Sequence, residues 1–223
     1  MASLPPWSYT MLSAIETCPR QAYHRYILKE KEPETEAMRH GTEAHTALEN
    51  YLKGQPLPFG YSNFEPLARQ IRDAVQPGWK LFAEYKMGVD AQLQAHDFFS
   101  PTVWGRGVAD ILLVGGTKAW VGDWKTGKRK ENSFQVSIFA LFVFAHFSEV
   151  EKVTANNIWL KENAVGQTYV YHREDAAAIW VQVARRVEAA NAMAATDQPW
   201  PANPGGLCKN WCAIKSCAHC GRK

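Results

Sequence analysis

"GVADILLVGGTKAWVGDWKTGK", residues 107–128, decides how this chain folds. Two runs rich in β-branched and aromatic residues, 102–114 and 118–126, flank a Gly-Gly-Thr break, the mark of a hairpin. Gly116 and Thr117 suit the two central positions of a type II′ turn, which pairs Gly115 with Lys118. The register then runs on so that Asp110 stands opposite Asp123, their Cβ atoms about 5 Å apart. Period-2 alternation puts Asp123 and Lys125 on one face and Trp124 on the other. By itself an Asp-x-Lys triplet on a strand is more often a solvated edge. Two opposed carboxylates are different, because both stay ionised only with a cation between them. Oxygen ligands without thiolate suit a hard ion, Mg²⁺ or Mn²⁺. With Lys125 beside them to polarise a phosphate, the set suits metal-assisted phosphodiester hydrolysis.

Working outward, Ser8 caps a helix that runs to about residue 29 and is broken near Cys18 by Pro19. Residues 34–52 and 64–75 carry apolar positions at helical spacing. Residues 80–89 read as a strand ahead of the hairpin, and 133–147 as a helix apolar on most sides and hence buried. Strands at 153–161 and 167–172 and an alanine-rich helix at 174–195 follow. The expected fold is α/β (α+β), a mixed sheet with helices packed on it.

The 223 residues are 46% hydrophobic, ample for a core, and the net charge of +3 permits a nucleic-acid partner without demanding one. One domain over 1–223 is expected, with a helical part at 8–76, a catalytic core at 80–196 and a cysteine-rich tail at 203–223 that packs back on the Cys18 region. The N-terminus lacks the pattern of a secretion signal, and the most apolar stretch, 137–145, is too short to span a bilayer. A cytoplasmic protein with no membrane partner is therefore expected. Of five cysteines, Cys208, Cys212, Cys217 and Cys220 lie in the tail, and the fifth is Cys18. In a reducing compartment such a cluster favours a metal over disulfides.

Together these segments resemble the PD-(D/E)XK nucleases, in particular the RecB-type branch. "GVADILLV" and "GDWKTGK" are similar to its Gly-x-x-Asp and Asp-x-Lys-x-Gly strands, "SYTMLSAIETCPRQAYHRY" to its opening helix, "HGTEAHTALENYL" to its histidine helix, and "FQVSIFALFVF" to its glutamine-led helix. The tail resembles that of the iron–sulfur exonucleases and CRISPR-associated adaptation nucleases. The resemblance implies a restriction-endonuclease-like sheet. It makes Asp110, Asp123, Lys125 and Gln135 catalytic, with His45, Asp110, Asp123 and the backbone carbonyl of Trp124 as ligands of Mg²⁺ or Mn²⁺. Glu84 on the preceding strand adds a carboxylate. Ala109 stands where the superfamily's name has proline, a departure the RecB-type branch tolerates.

For the tail two schemes stay open. In one, Cys18, Cys208, Cys212 and Cys217 hold a [4Fe–4S] cluster, leaving Cys220 spare; in the other, the four tail cysteines, or three with His219, bind Zn²⁺. The resemblance favours the first.

Arg20, Lys128, Arg129 and Lys130 are candidate phosphate contacts, and Trp124, Tyr23 or Trp211 candidate stacking platforms for single-stranded DNA. The function expected is hydrolysis of DNA, by an exonuclease acting on ends, in recombination, repair or phage- or CRISPR-type processing. It would take place in a bacterial cell or phage-infected host, with recombination or replication proteins as partners. A structure-specific endonuclease, a non-catalytic DNA-binding subunit and a zinc-binding interaction protein are the rivals.

Overall fold

The computed structural model describes residues 4–221, which divide into two compact units: one of 35–180, and one formed by the chain up to residue 34 together with the chain from 181 onward. The larger unit is built on a mixed six-stranded sheet, in the order β2-β1-β3-β4-β5-β6. The strands are β1 Lys80–Val89, β2 Ala95–His96, β3 Gly105–Gly115, β4 Lys118–Lys125, β5 Lys152–Trp159 and β6 Ala164–His172. All neighbours are antiparallel except β4 and β5, which are parallel and joined by α5, Ser133–His146. The α/β architecture is as expected.

The turn between β3 and β4 sets the register. Gly116 has φ 54, and Gly115 pairs with Lys118, so the ladder runs to Ile111 opposite Gly122. The ladder ends there, one residue short of Asp110 and Asp123. α3 (Glu36–Leu52) and α4 (Glu65–Asp73) cover one face of the sheet, where Ala44, Leu48, Leu67 and Ile71 pack with Ile111, Trp124 and Ile158. α5 covers the other; it is buried almost all round, from Val136 to Phe144. Asn132 caps it by accepting the amide of Gln135 at 3.1 Å. The strand β2, only two residues long, carries no pattern that alternation could reveal.

Gly122 is where the hairpin meets this core. A Cβ there would lie 2.6 Å from Cη2 of Trp120, 2.8 Å from Cδ1 of Ile158 and 3.0 Å from Cδ1 of Ile111. Gly122→Ala is therefore expected to destabilise the fold by about 1–3 kcal/mol through overpacking, read by urea or thermal unfolding.

The face each strand presents changes sides once. In β3, a Cβ on Gly107 would meet Phe142 of α5 at 2.9 Å, whereas Ile111 packs among α3 and α4. Residues four apart on a regular strand share a face. In β1, the rings of Phe82 and Tyr85 both meet Phe147, at 6.2 and 5.7 Å, although three residues apart. Between them lies Glu84, in the left-handed region at φ 53. The ladder passes from Ala83–Ile111 to Tyr85–Ala109 and skips the pair between, Glu84 facing Asp110. A non-glycine residue held left-handed inside a strand costs on the order of 1–3 kcal/mol, and such strain concentrates at functional sites.

The smaller unit contains α1 (Tyr9–Thr17), α2 (Pro19–Ala22), a π-helical turn at Tyr23–Ile27, the C-terminal part of α6 (Ala176–Ala194) and α7 (Gly206–Asn210). Cys18 is the extended residue between α1 and α2, where Pro19 prevents one continuous helix. The segment 198–203 runs along this junction. Pro201 accepts the amide of Arg20 at 2.9 Å, Gln198 the hydroxyl of Tyr23 at 2.9 Å, and Asn203 donates to Thr17 at 3.1 Å. Among the described residues no helix is long and apolar enough to cross a membrane.

Candidate metal and catalytic site

The skipped pair on β1 and β3 is the floor of the site. His45 reaches it from α3: Ala44, Leu48 and Leu52 bury the apolar stripe of that helix, which leaves His45 at its margin. Its Nδ1 lies 3.5 Å from Asp110 Oδ2. Ligand atoms of His45, Glu84 and Asp110 all fall within 4.8 Å of one another. Asp110 Oδ2 also accepts the amide of Trp124 at 2.7 Å, which ties β3 to β4 beyond the end of their ladder. An open cleft of ≈ 570 Å³, lined by Met38, Thr42, Glu49 and Thr126 as well as the three ligand candidates, leads to them.

Asp123 and Lys125 form a second group. Lys125 Nζ sits 2.5 Å from Asp123 Oδ2 and donates to Gln135 Oε1 at 2.8 Å. Gln135 in turn donates through Nε2 to Asp123 Oδ1 at 3.1 Å. The glutamine thus bridges base and acid from the first turn of α5, while Asn132 does the capping.

The electrostatics are those of a site short of positive charge. Burial, then the charge of Asp110, pushes the Glu84 carboxyl from 4.5 to about 7. Asp123 is also raised, by burial and by Asp110, with Lys125 opposing. Burial works against a charge on His45, but its contact with Asp110 and the fields of Asp123 and Glu84 outweigh that and raise its pKa. Oδ2 of Asp123 is buried against the Lys125 ammonium. Two carboxylates and an imidazole converging in this way, with the carboxylate of Asp123 adding to the local negative charge, suit a hard divalent ion.

The structure brings His45, Asp110 and Glu84 together as one group, and Asp123, Lys125 and Gln135 as another. Trp124 itself is 2% exposed and Tyr23 is buried. Neither ring is open to a base, because each is spent on core packing, which corrects the reading of both as stacking platforms. Trp211 is 68% exposed. Of the expected phosphate contacts, Lys128 and Lys130 are exposed. Arg129 is held between Glu131 at 3.2 Å and Glu162 at 3.1 Å, and Arg20 donates through Nε to Trp200 O at 2.5 Å. Both arginines therefore have part of their donor set committed to the protein.

In the smaller unit, Cys18, Cys208 and Cys212 line one cavity of ≈ 260 Å³. Cys217 and Cys220 are buried against Ile214, with Cys212 packed on that group. Burial, with the nearby Cys220, Cys208 and Cys217, raises the Cys212 thiol. All five cysteines are free thiols. Among the described residues no three of their sulfurs converge closely as the three ligand atoms at Asp110 do.

No curated protein matches the sequence. A solved structure titled "Crystal structure of SSO0001" is 16% identical, with 86% of this chain and 80% of that chain covered and a TM-score of 0.41. The sequence matches the family description "PD-(D/E)XK nuclease superfamily" over residues 6–220. With that match across nearly its whole length, the chain belongs to the PD-(D/E)XK superfamily of metal-dependent nucleases.

Proposed function

We propose that the protein is a Mg²⁺- or Mn²⁺-dependent deoxyribonuclease of the RecB-type branch that degrades DNA from its ends. The observation that carries the reading is the approach of His45, Glu84 and Asp110 ligand atoms to within 4.8 Å, beside a lysine held by a glutamine. His45, Asp110 and Asp123, with the Trp124 carbonyl, are the ligands we assign, and Glu84 joins them. A divalent ion held there supplies Lewis acidity to the scissile phosphate and lowers the pKa of the attacking water. Lys125, kept in place by Gln135 and Asp123, presents its ammonium to the phosphate and stabilises the negative charge that grows during displacement. Gln135 orients both groups. Action on ends, rather than on particular DNA structures, is favoured by the resemblance to the RecB-type exonucleases.

Cleavage of end-labelled and covalently closed circular DNA in Mg²⁺, Mn²⁺ and EDTA tests the proposal. Progressive loss of the labelled linear strand, sparing of the circle and silence in EDTA are expected. Nicking of the circle would replace the exonuclease with an endonuclease, and binding without cleavage in either metal would leave a DNA-binding subunit.

For the thiols we propose a [4Fe–4S] cluster on Cys18, Cys208, Cys212 and Cys217. Its support is the cavity that three of these share and the short reach of chain to the fourth. The cluster would be structural, since the tail has too little apolar surface to hold itself. A brown protein with stoichiometric iron and sulfide is expected after anaerobic purification. A colourless one with bound zinc would favour the local scheme.

A further inference from the structure

The larger unit carries an aromatic and cationic patch that the site above does not use. The turn between β2 and β3 places Phe98 and Phe99 edge to face, ring centroids 5.1 Å apart, and Phe99 is 70% exposed. Lys86 Nζ stands 5.3 Å from the Phe99 ring and 5.9 Å from Phe98, and the Arg106 guanidinium 5.3 Å from Phe98. Neither cation is paired with a carboxylate among the described residues, and Arg106 Nε is buried without a partner. The acid of that turn, Asp97, accepts the amide of Phe99 at 2.8 Å.

The patch also lies in line with the metal site. Tyr85 and Gly107 face α5, so Lys86 and Arg106, which alternate with them, face the side from which α3 delivers His45. On this side the skipped positions Glu84 and Asp110 are followed by the pairs Lys86 with Val108 and Gly88 with Arg106. At about 3.3 Å per residue, the two cations sit roughly 7 and 13 Å from the ligand candidates. A polyanion crossing them would be led to the ion by positive charge, and an exposed ring beside unpaired cations stacks a base when that base is unpaired with another strand.

We infer that Lys86, Phe98, Phe99 and Arg106 form a subsite for single-stranded DNA, in which a base stacks on Phe99 while its phosphates follow Lys86 and Arg106 toward Asp110. The inference rests on the nuclease reading and specifies its substrate as a frayed or single strand. The charge and the alignment with the site favour nucleic acid over an acidic protein segment.

The test is fluorescence anisotropy with a labelled oligothymidylate and with a blunt duplex, in Ca²⁺ so that binding is read without turnover. Phe99→Ala should weaken the single strand roughly tenfold and the duplex no more than twofold, whereas Phe99→Trp should keep wild-type affinity. Lys86→Ala should reduce the slope of log affinity against log salt by about 0.7. Circular dichroism melting of each variant separates lost stacking from lost folding. Equal binding by Phe99→Ala and wild type, or an equal loss for the duplex, overturns the subsite. So does an acidic polyglutamate peptide whose binding, rather than that of DNA, depends on Phe99. Wild-type cleavage of the same oligonucleotide in Mg²⁺ is measured in parallel. If the wild type cleaves and Phe99→Ala binds unchanged, only the subsite fails; if the wild type cleaves nothing in either metal, the nuclease reading fails and takes the subsite with it.

Discussion

Lys125→Ala is expected to lower the rate of DNA cleavage by about 10²–10³-fold, the usual cost of removing one preorganised group from a developing negative charge. The loss should fall on kcat, because under the proposed mechanism the ground-state phosphate would be held chiefly by the ion. Affinity for DNA in Ca²⁺ should stay within a few-fold of the wild type. Asp123 loses its ammonium partner in this variant, and that carboxyl, already raised by burial and by Asp110, should rise further. Gln135→Ala leaves the lysine in place but unsteered, so a smaller fall in rate is expected, with an altered pH profile. Single-turnover cleavage across pH would read both. A Lys125→Ala protein that cleaves at the wild-type rate would remove the amine from the mechanism.

The second large effect concerns stability in the absence of metal. Glu84 keeps a proton up to about pH 7 in the folded protein, whereas an unfolded chain gives it up near 4.5. Between those values the folded state holds more protons, so stability falls as pH rises through the window. Asp123, also raised, acts in the same direction. His45, whose folded pKa is raised, contributes stability below 6.5 that is lost as pH climbs through its folded value. In EDTA the protein should therefore melt lower at pH 8 than at pH 5.5. A divalent ion restores the missing positive charge, and at a hundred times its dissociation constant it stabilises by about 2.7 kcal/mol. For a chain of this size that is roughly 5–10 °C in Tm. The rise should be largest above pH 7, where Glu84 is ionised, and ion binding at pH 7 should release protons into a weakly buffered solution. Glu84→Gln should melt higher than the wild type in EDTA at pH 8 and gain less from Mg²⁺. A Tm in EDTA that does not fall between pH 5.5 and 8 would contradict this charge balance.

The hairpin that organises the site was legible because its determinants are local. A Gly-Thr turn and two alternating runs dictate the Gly115–Lys118 pairing and the ladder that follows it to Ile111 and Gly122. The break at Pro19 and the buried helix leading from Gln135 were readable for similar reasons, one steric and one compositional. What alternation alone misses is its own failure. Nothing in "KLFAEYKMGV" announces that Glu84 turns left-handed, since glutamate has no preference for that conformation. The fate of the charged side chains was equally hidden. "KTGKRK" reads as four equal cations, yet Arg129 is taken up by Glu131 and by Glu162, which lies 33 residues further along the chain. Trp124 looked available because alternation predicts its direction but not that α3 and α4 would cover it.

The change of side at Glu84 and Asp110 has a consequence for how this nuclease tolerates alteration. The ligand triad is delivered from the flank of α3, while the amine is steered from the flank of α5, and the bond from the Trp124 amide to Asp110 couples the two. The two groups of side chains are therefore reached from opposite surfaces of one sheet. Substitutions along α3 should shift ion affinity through His45, whereas those around Gln135 should shift turnover through Lys125 and ion affinity through Asp123.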